Sequence, residues 1–175
     1  MSISSVIYRT RQFVQALHPR ALTEADLAQA QAMLSPKQMI LFSRLQPSEQ
    51  FHSLRVLTTL QSGGVNHPDL FIAALLHDIG KIRYPLRLWQ RIIIVLSKAI
   101  WPDGTQAWGK YQPQGWRLPL VVAALHPAWG AELALNAGVS PLASNLIRRH
   151  QDTICSGKDL ESRLLAALQK ADLQH

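Results

Sequence analysis

Apolar residues recur every three or four positions along this chain, punctuated by Pro and Gly, and nowhere do apolar and polar residues alternate over the length of a strand. The pattern predicts an all-α fold. Ile3, Val6, Ile7, Phe13, Val14 and Leu17 mark a first helix that stops at "HPR". Thr23, with Asp26 three residues on, has the spacing of a capping box and predicts the start of a second. Pro36 and Pro47 stand where first-turn prolines belong, opening "PKQMILFSRL" and "PSEQFHSLRVLTTLQ", and Gly63 and Gly64 end the latter. Pro68 opens "PDLFIAALLHDIG", with Gly80 read as its C-terminal stop. Further helices are expected near 85–100, 118–136 with an interruption at "HPAWG", 141–151 and 159–173. With no internal repeat and no dividing linker, residues 1–175 are expected to form a single domain.

At 175 residues the chain is long enough to bury a core without covalent cross-links, and its lone Cys155 excludes both an internal disulfide and a cysteine zinc cluster. That fits a reducing compartment, and "MSISSVIYRTRQF" lacks the apolar run of a secretory signal, so a cytoplasmic location is expected. The apolar burst "IIIVL" between Arg91 and Lys98 falls far short of the roughly 20 residues of a spanning helix, and no transmembrane segment is expected. Eighteen Lys and Arg against eleven Asp and Glu give a formal charge of +7, which favours anionic partners. The basic residues are dispersed and carry no nucleic-acid-binding motif, so a small phosphate-containing substrate is expected rather than a specific nucleic acid.

Seven histidines need sorting. His18 and His67 each precede a proline at a helix boundary, where a turn role suffices, and His175 is terminal. His52, His77, His126 and His150 lie in or at the ends of predicted helices beside apolar neighbours, so their side chains could converge on one interior cleft. Any one of them alone is more often a core histidine than a ligand. His77 and Asp78 lie together in a last helical turn, where exposed carbonyls favour a cation.

The ordered set His52, His77-Asp78, His126, His150, Asp172 resembles the HD-domain metal-dependent phosphohydrolases, over about residues 48–173. "LLHDIGK" is the most specific part, and "HPAWGAELALNAGVSPLASNLIRRHQD" looks like the later half of the HDIG-type, HD-GYP-like branch. The resemblance implies a helical bundle with helices 3–45 packed on it. In it His52, His77, Asp78 and Asp172 would hold one metal, His126 and His150 would help hold a second, and Asp78 would bridge them. Imidazole with carboxylate suits iron or manganese first, with zinc, nickel, cobalt or magnesium as alternatives. Two such ions would acidify a water into a hydroxide nucleophile and neutralise charge on a phosphoryl group. Asp78 and Lys81 would then be catalytic, Lys81 meeting a phosphate oxygen; its alternative is a solvated helix-end cation. Arg148 and Arg149 are candidate phosphate contacts, of which at least one must point away.

The chain also departs from that pattern. Gln151 stands where many HD-GYP proteins carry a second histidine, and no Gly-Tyr-Pro follows. This argues against cyclic di-GMP and a three-metal site, and fits better a two-metal nucleotidase of the kind that cleaves dinucleoside polyphosphates. An insertion at about 83–117 is basic and Trp-rich. Trp89, Ile92, Ile93, Val95, Leu96 and Ile100, beside Arg83, Arg87, Arg91 and Lys98, describe either a helix on an acidic membrane surface or one packed on the core, and packing is the preferred reading. Trp101, Trp108, Tyr111 and Trp116 could instead form a lid that stacks on a nucleobase, with Trp108 and Trp116 as substrate contacts. Trp129 is expected to pack behind the metal site. A non-catalytic metal or nucleotide sensor of HD fold is the alternative function, and an oxygen-dependent diiron oxidase a rarer one.

Overall fold

The computed structural model describes residues 22–100, 112–153 and 157–175. The expected helix at 3–17, and Cys155, Trp101, Trp108 and Tyr111, lie outside the described residues. Among the described residues, eight α-helices and two 3-10 turns account for the regular structure and no strand occurs. The helices are α1 (Glu24–Met33), α2 (Pro36–Ser43), α3 (Pro47–Ser62), α4 (Pro68–Leu76), α5 (Leu88–Ile100), α6 (Leu118–Asn136), α7 (Pro141–Arg149) and α8 (Leu160–Asp172), with 3-10 turns at Ile79–Arg83 and Gly115–Arg117.

Two compact units divide the chain, one taking in Arg83–Leu125 and the other Arg20–Ile82 with His126–His175. In the second unit α4 is the hub, packed against α1, α2, α3, α7 and α8. Its sequence explains why: six of its nine residues are buried, and a helix that is apolar all round is stable only when enclosed on every side. Thr23 and Ser35 cap α1 and α2 through reciprocal capping boxes, and Pro47, Pro68 and Pro141 occupy first helical turns. The buried Gln50 amide donates to the carbonyls of Phe42 and Leu45, satisfying the end of α2 and fixing its turn into α3.

Two boundaries differ from expectation. α4 stops at Leu76, before Gly80, which instead sits in the 3-10 turn that follows. A Cβ at Gly80 would lie 2.0 Å from the His126 carbonyl oxygen and 2.8 Å from the Gly130 nitrogen, so the glycine is needed for close approach to α6 rather than for a helix stop. The expected interruption at "HPAWG" is absent: α6 runs unbroken through Pro127. An interior proline costs about 3 kcal/mol. Buried apolar residues on both sides, among them Leu120, Val121, Val122, Ala131 and Ala134, outweigh that at about 1.5–3 kcal/mol for each fully buried large side chain. The segment Gly115–Asn136, which the sequence reading did not single out, is long and apolar enough to cross a membrane by length and composition. Half of its apolar window is buried within the protein.

Candidate metal centre

Two of the candidate ligands use one local device. His77 follows the last residue of α4 and His150 the last residue of α7, and each ring Nδ1 bonds the carbonyl three residues back, Ala74 at 2.9 Å and Ile147 at 2.7 Å. A carbonyl only accepts, so Nδ1 carries the hydrogen and satisfies an orphaned carbonyl of the last turn. Each ring is thereby oriented with Nε2 turned inward, the arrangement by which ligand histidines are commonly held.

Around those rings the second unit gathers all six expected ligands into two triads, His52, His77 and Asp172 in one, Asp78, His126 and His150 in the other. Within each triad the ligand atoms lie within 4.8 Å of one another. His52, from α3, has its Nε2 2.8 Å from Asp172 Oδ1 at the end of α8, and His77 Nε2 is 3.6 Å from the same oxygen. His126, inward-facing on α6, places Nε2 3.3 Å from His150 Nε2 and 3.2 Å from Asp78 Oδ1. Asp78 stands between the groups: Oδ1 faces His126, while Oδ2 lies 3.6 Å from His77 Nε2 and 2.6 Å from the Lys81 ammonium. His77, Asp78, His126 and His150 are buried; His52 and Asp172 are about a quarter exposed and open the cluster to solvent.

The electrostatics are those of a site that demands positive charge. Burial drives the His77 pKa down, but Asp78 and Asp172 outweigh it and raise the imidazole to about 9. Burial also opposes ionisation of Asp78, yet Lys81, His77 and His126 hold its carboxyl well below the usual range. Asp172 is likewise lowered against its burial, by the hydrogen bond from His52 and the nearby His77 imidazole. His150 is pushed down to about 3, first by burial and then by neighbouring His77 and His126, so it is neutral and its Nε2 offers a lone pair. With His77 protonated, a proton and the Lys81 ammonium balance the Asp78 and Asp172 carboxylates. Four imidazoles and two carboxylates suit divalent transition ions, and the lone pair of His150 and the shared Asp78 carboxylate are the features such ions need.

The other expected residues are placed less uniformly. Lys81 pairs with Asp78 and remains 27% exposed. Arg149 is committed elsewhere, to Asp152 at 3.2 Å and Glu161 at 2.7 Å, while Arg148 is exposed. Trp116, 60% exposed, belongs to the other unit and stacks under the Arg117 guanidinium, 5.2 Å from the ring centre. Trp129 is half-buried. Of the histidines set aside, His67 lies at the start of α4 with Nδ1 4.0 Å from Asp69, and His175 Nε2 meets the Thr59 hydroxyl at 2.8 Å, tying the end of the chain to α3. Two contributors escaped the sequence reading. Gln151, read there as a lost histidine, brings its amide within 3.4 Å of His126 Nε2. Gly130, one turn after His126, faces Gly80 and lets the 3-10 turn lie against α6; its spacing from His126 was the available signal.

The chain matches no family model, no curated protein and no solved structure. Its metal-binding capacity therefore rests on the cluster itself: a helical protein with buried His and Asp groups that can hold a metal ion.

Proposed function

We propose that the protein is a binuclear, metal-dependent phosphohydrolase of the HD type, acting on a nucleotide or another small phosphate ester. The observation that carries this reading is the division of the Asp78 carboxylate, one oxygen toward each triad. A carboxylate so placed can serve two cations at once, which a single structural metal does not require. His52, His77 and Asp172 would hold one ion and His126 and His150 the other, with Asp78 shared. Bound there, divalent ions supply Lewis acidity toward a phosphoryl group and make water available as hydroxide near neutral pH.

The protein's own groups do the rest. The Nδ1 bonds of His77 and His150 fix their rings, so little reorganisation accompanies binding. Lys81 holds a fixed positive charge at the exposed side of Asp78, where it can pair with an anionic phosphate oxygen. The test is metal content per chain in the wild type and in His126→Ala, with phosphate release from a nucleotide panel measured alongside. Metal near two per chain falling to near one, with hydrolysis lost, is expected. One metal in both proteins would make His126 structural, and metal binding without phosphate release from any nucleotide would favour the sensor reading.

A further inference from the structure

The charge of the chain is unevenly shared. Arg20–Ile82 together with His126–His175 contains ten basic and ten acidic residues, whereas Arg83–Leu125 contains six basic residues and only Asp103 to oppose them. The remaining two cations are Arg9 and Arg11. The ligand-bearing unit is therefore neutral by count, and the excess lies outside it.

In the basic segment, α5 turns the wrong side outward for a helix of a self-contained core. At 100° per residue, Leu88, Ile92, Leu96, Trp89 and Ile93 fill an arc of about 140°. Leu88 is 49% exposed, Trp89 52% and Leu96 36%, and Ile92 and Ile93 are half-buried. About 60° past Ile93, Gln90 is buried, 8% exposed, and its side-chain amide oxygen accepts the Arg87 backbone N–H at 2.8 Å and closes the start of the helix. Arg91 lies about 60° beyond Leu88, at the edge of the polar side, and Arg87 and Tyr84, just before α5, are exposed. Of the residues for which packing was the preferred reading, Ile92 and Ile93 are half-buried and Trp89 and Leu96 are exposed, while the side chains of Val95 and Ile100 lie outside the described residues.

We infer that α5 seats on an anionic lipid surface, with Leu88, Trp89, Ile92 and Leu96 entering the headgroup boundary and Arg87 and Arg91 pairing with lipid phosphates. An exposed apolar arc that includes Trp, on a chain segment whose charged residues are almost all basic, is the composition of a helix lying in the plane of a membrane interface. Charge selects the occupant: a second copy would bring another net excess of cations against this face and be repelled, whereas an acidic bilayer attracts it. This inference does not depend on the phosphohydrolase reading.

The experiment is co-sedimentation of the full chain with vesicles of phosphatidylcholine alone and with about 30% phosphatidylglycerol, together with quenching of tryptophan emission by brominated lipid. Affinity for the anionic vesicles should be at least about tenfold higher, consistent with about 1 kcal/mol per basic residue at such a surface, and should fall with added salt. Trp89→Glu should weaken it by at least about tenfold, with helix content and metal content unchanged. Arg87→Gln, at an exposed position outside the helix, should weaken it by about fivefold and guards against a folding defect in the first variant. Equal binding by Trp89→Glu, or no vesicle binding at all, overturns the inference. So does a dimer dissolved by Trp89→Glu without vesicle binding, or binding to nucleic acid without quenching by brominated lipid.

Discussion

Gly80→Ala is the substitution whose consequence the structure defines most sharply. The added Cβ would stand 2.0 Å from the His126 carbonyl oxygen, 2.8 Å from the His126 carbonyl carbon and 2.8 Å from the Gly130 nitrogen. Real Cβ atoms essentially never come within 3.0 Å of such atoms, so the 3-10 turn and α6 must part by about 1 Å or more. All three obstacles are backbone, and no rotamer change relieves them. The stability cost should lie at the upper end of the roughly 1–3 kcal/mol typical of overpacking, or beyond it. The larger effect is functional. Asp78 lies two residues before Gly80, and its Oδ1 is 3.2 Å from His126 Nε2. Metal sites tolerate about 0.2 Å, so a separation of about 1 Å should abolish the second ion before it unfolds the protein. Urea denaturation and metal stoichiometry on the same preparations test this. Gly130→Ala is the internal comparison: its Cβ meets the Gly80 nitrogen at 3.1 Å and two isoleucine methyls at 3.3 Å, overlaps that a shift of a few tenths of an ångström relieves, so it should cost less and keep both ions. A Gly80→Ala protein of wild-type stability carrying two metals would refute the reasoning.

Three other outcomes follow from the cluster. His77 has a folded pKa of about 9 against an ordinary 6.5, so its stabilisation of the metal-free protein is complete below pH 6.5 and is lost as pH rises to 9. Urea denaturation should show a fall of up to about 3 kcal/mol across that window, while metal affinity rises about tenfold per pH unit from 7 to 9 because the ion displaces that proton; a pH-independent metal-free protein would contradict this. Asp78→Asn keeps the shape but loses the charge, and should lower hydrolysis about a thousandfold or more and strip metal, whereas His67→Ala should leave both nearly intact by phosphate release and elemental analysis. Arg149→Ala, which removes contacts to Asp152 and Glu161, should cost at most about 1 kcal/mol and leave KM within about twofold, while Lys81→Ala should lower kcat/KM by about tenfold; the reverse order would return Arg149 to the substrate.

Helix boundaries were legible wherever a local chemical rule sets them. Thr23, Pro36, Pro47 and Pro68 act within one turn of their own position, so a single sequence shows their effect. Gly80 and Pro127 were misread because their environments are assembled from distant segments: the space that Gly80 leaves belongs to α6, and the burial that carries α6 through Pro127 comes from tertiary packing. Arg149 and Gln151 show the same limit at the site. Their partners, Glu161 and His126, are set by how α7, α8 and α6 meet, which no periodicity encodes. Four histidines stood out beside apolar neighbours, but joining them with Asp78 and Asp172 into one ligand set rested on the resemblance to the HD pattern, because no periodicity brings positions 52 and 172 together.

That cost explains why the cluster is tied to the fold. Two carboxylates held beside the hub helix would oppose folding without compensation, and the metal-free protein supplies it with the His77 proton and the Lys81 ammonium. Both are replaceable: the proton can leave to solvent, and Lys81 is partly exposed on a flexible stem. The histidines that end α4 and α7 need no such replacement, because their Nδ1 bonds to Ala74 and Ile147 do not involve the atoms turned toward Asp78. The helix ends thus keep the rings in place while the charge between them is exchanged. A cation entering the cluster therefore takes over an electrostatic role the fold already requires, and Asp78, with an oxygen toward each triad, is the group on which the exchange turns.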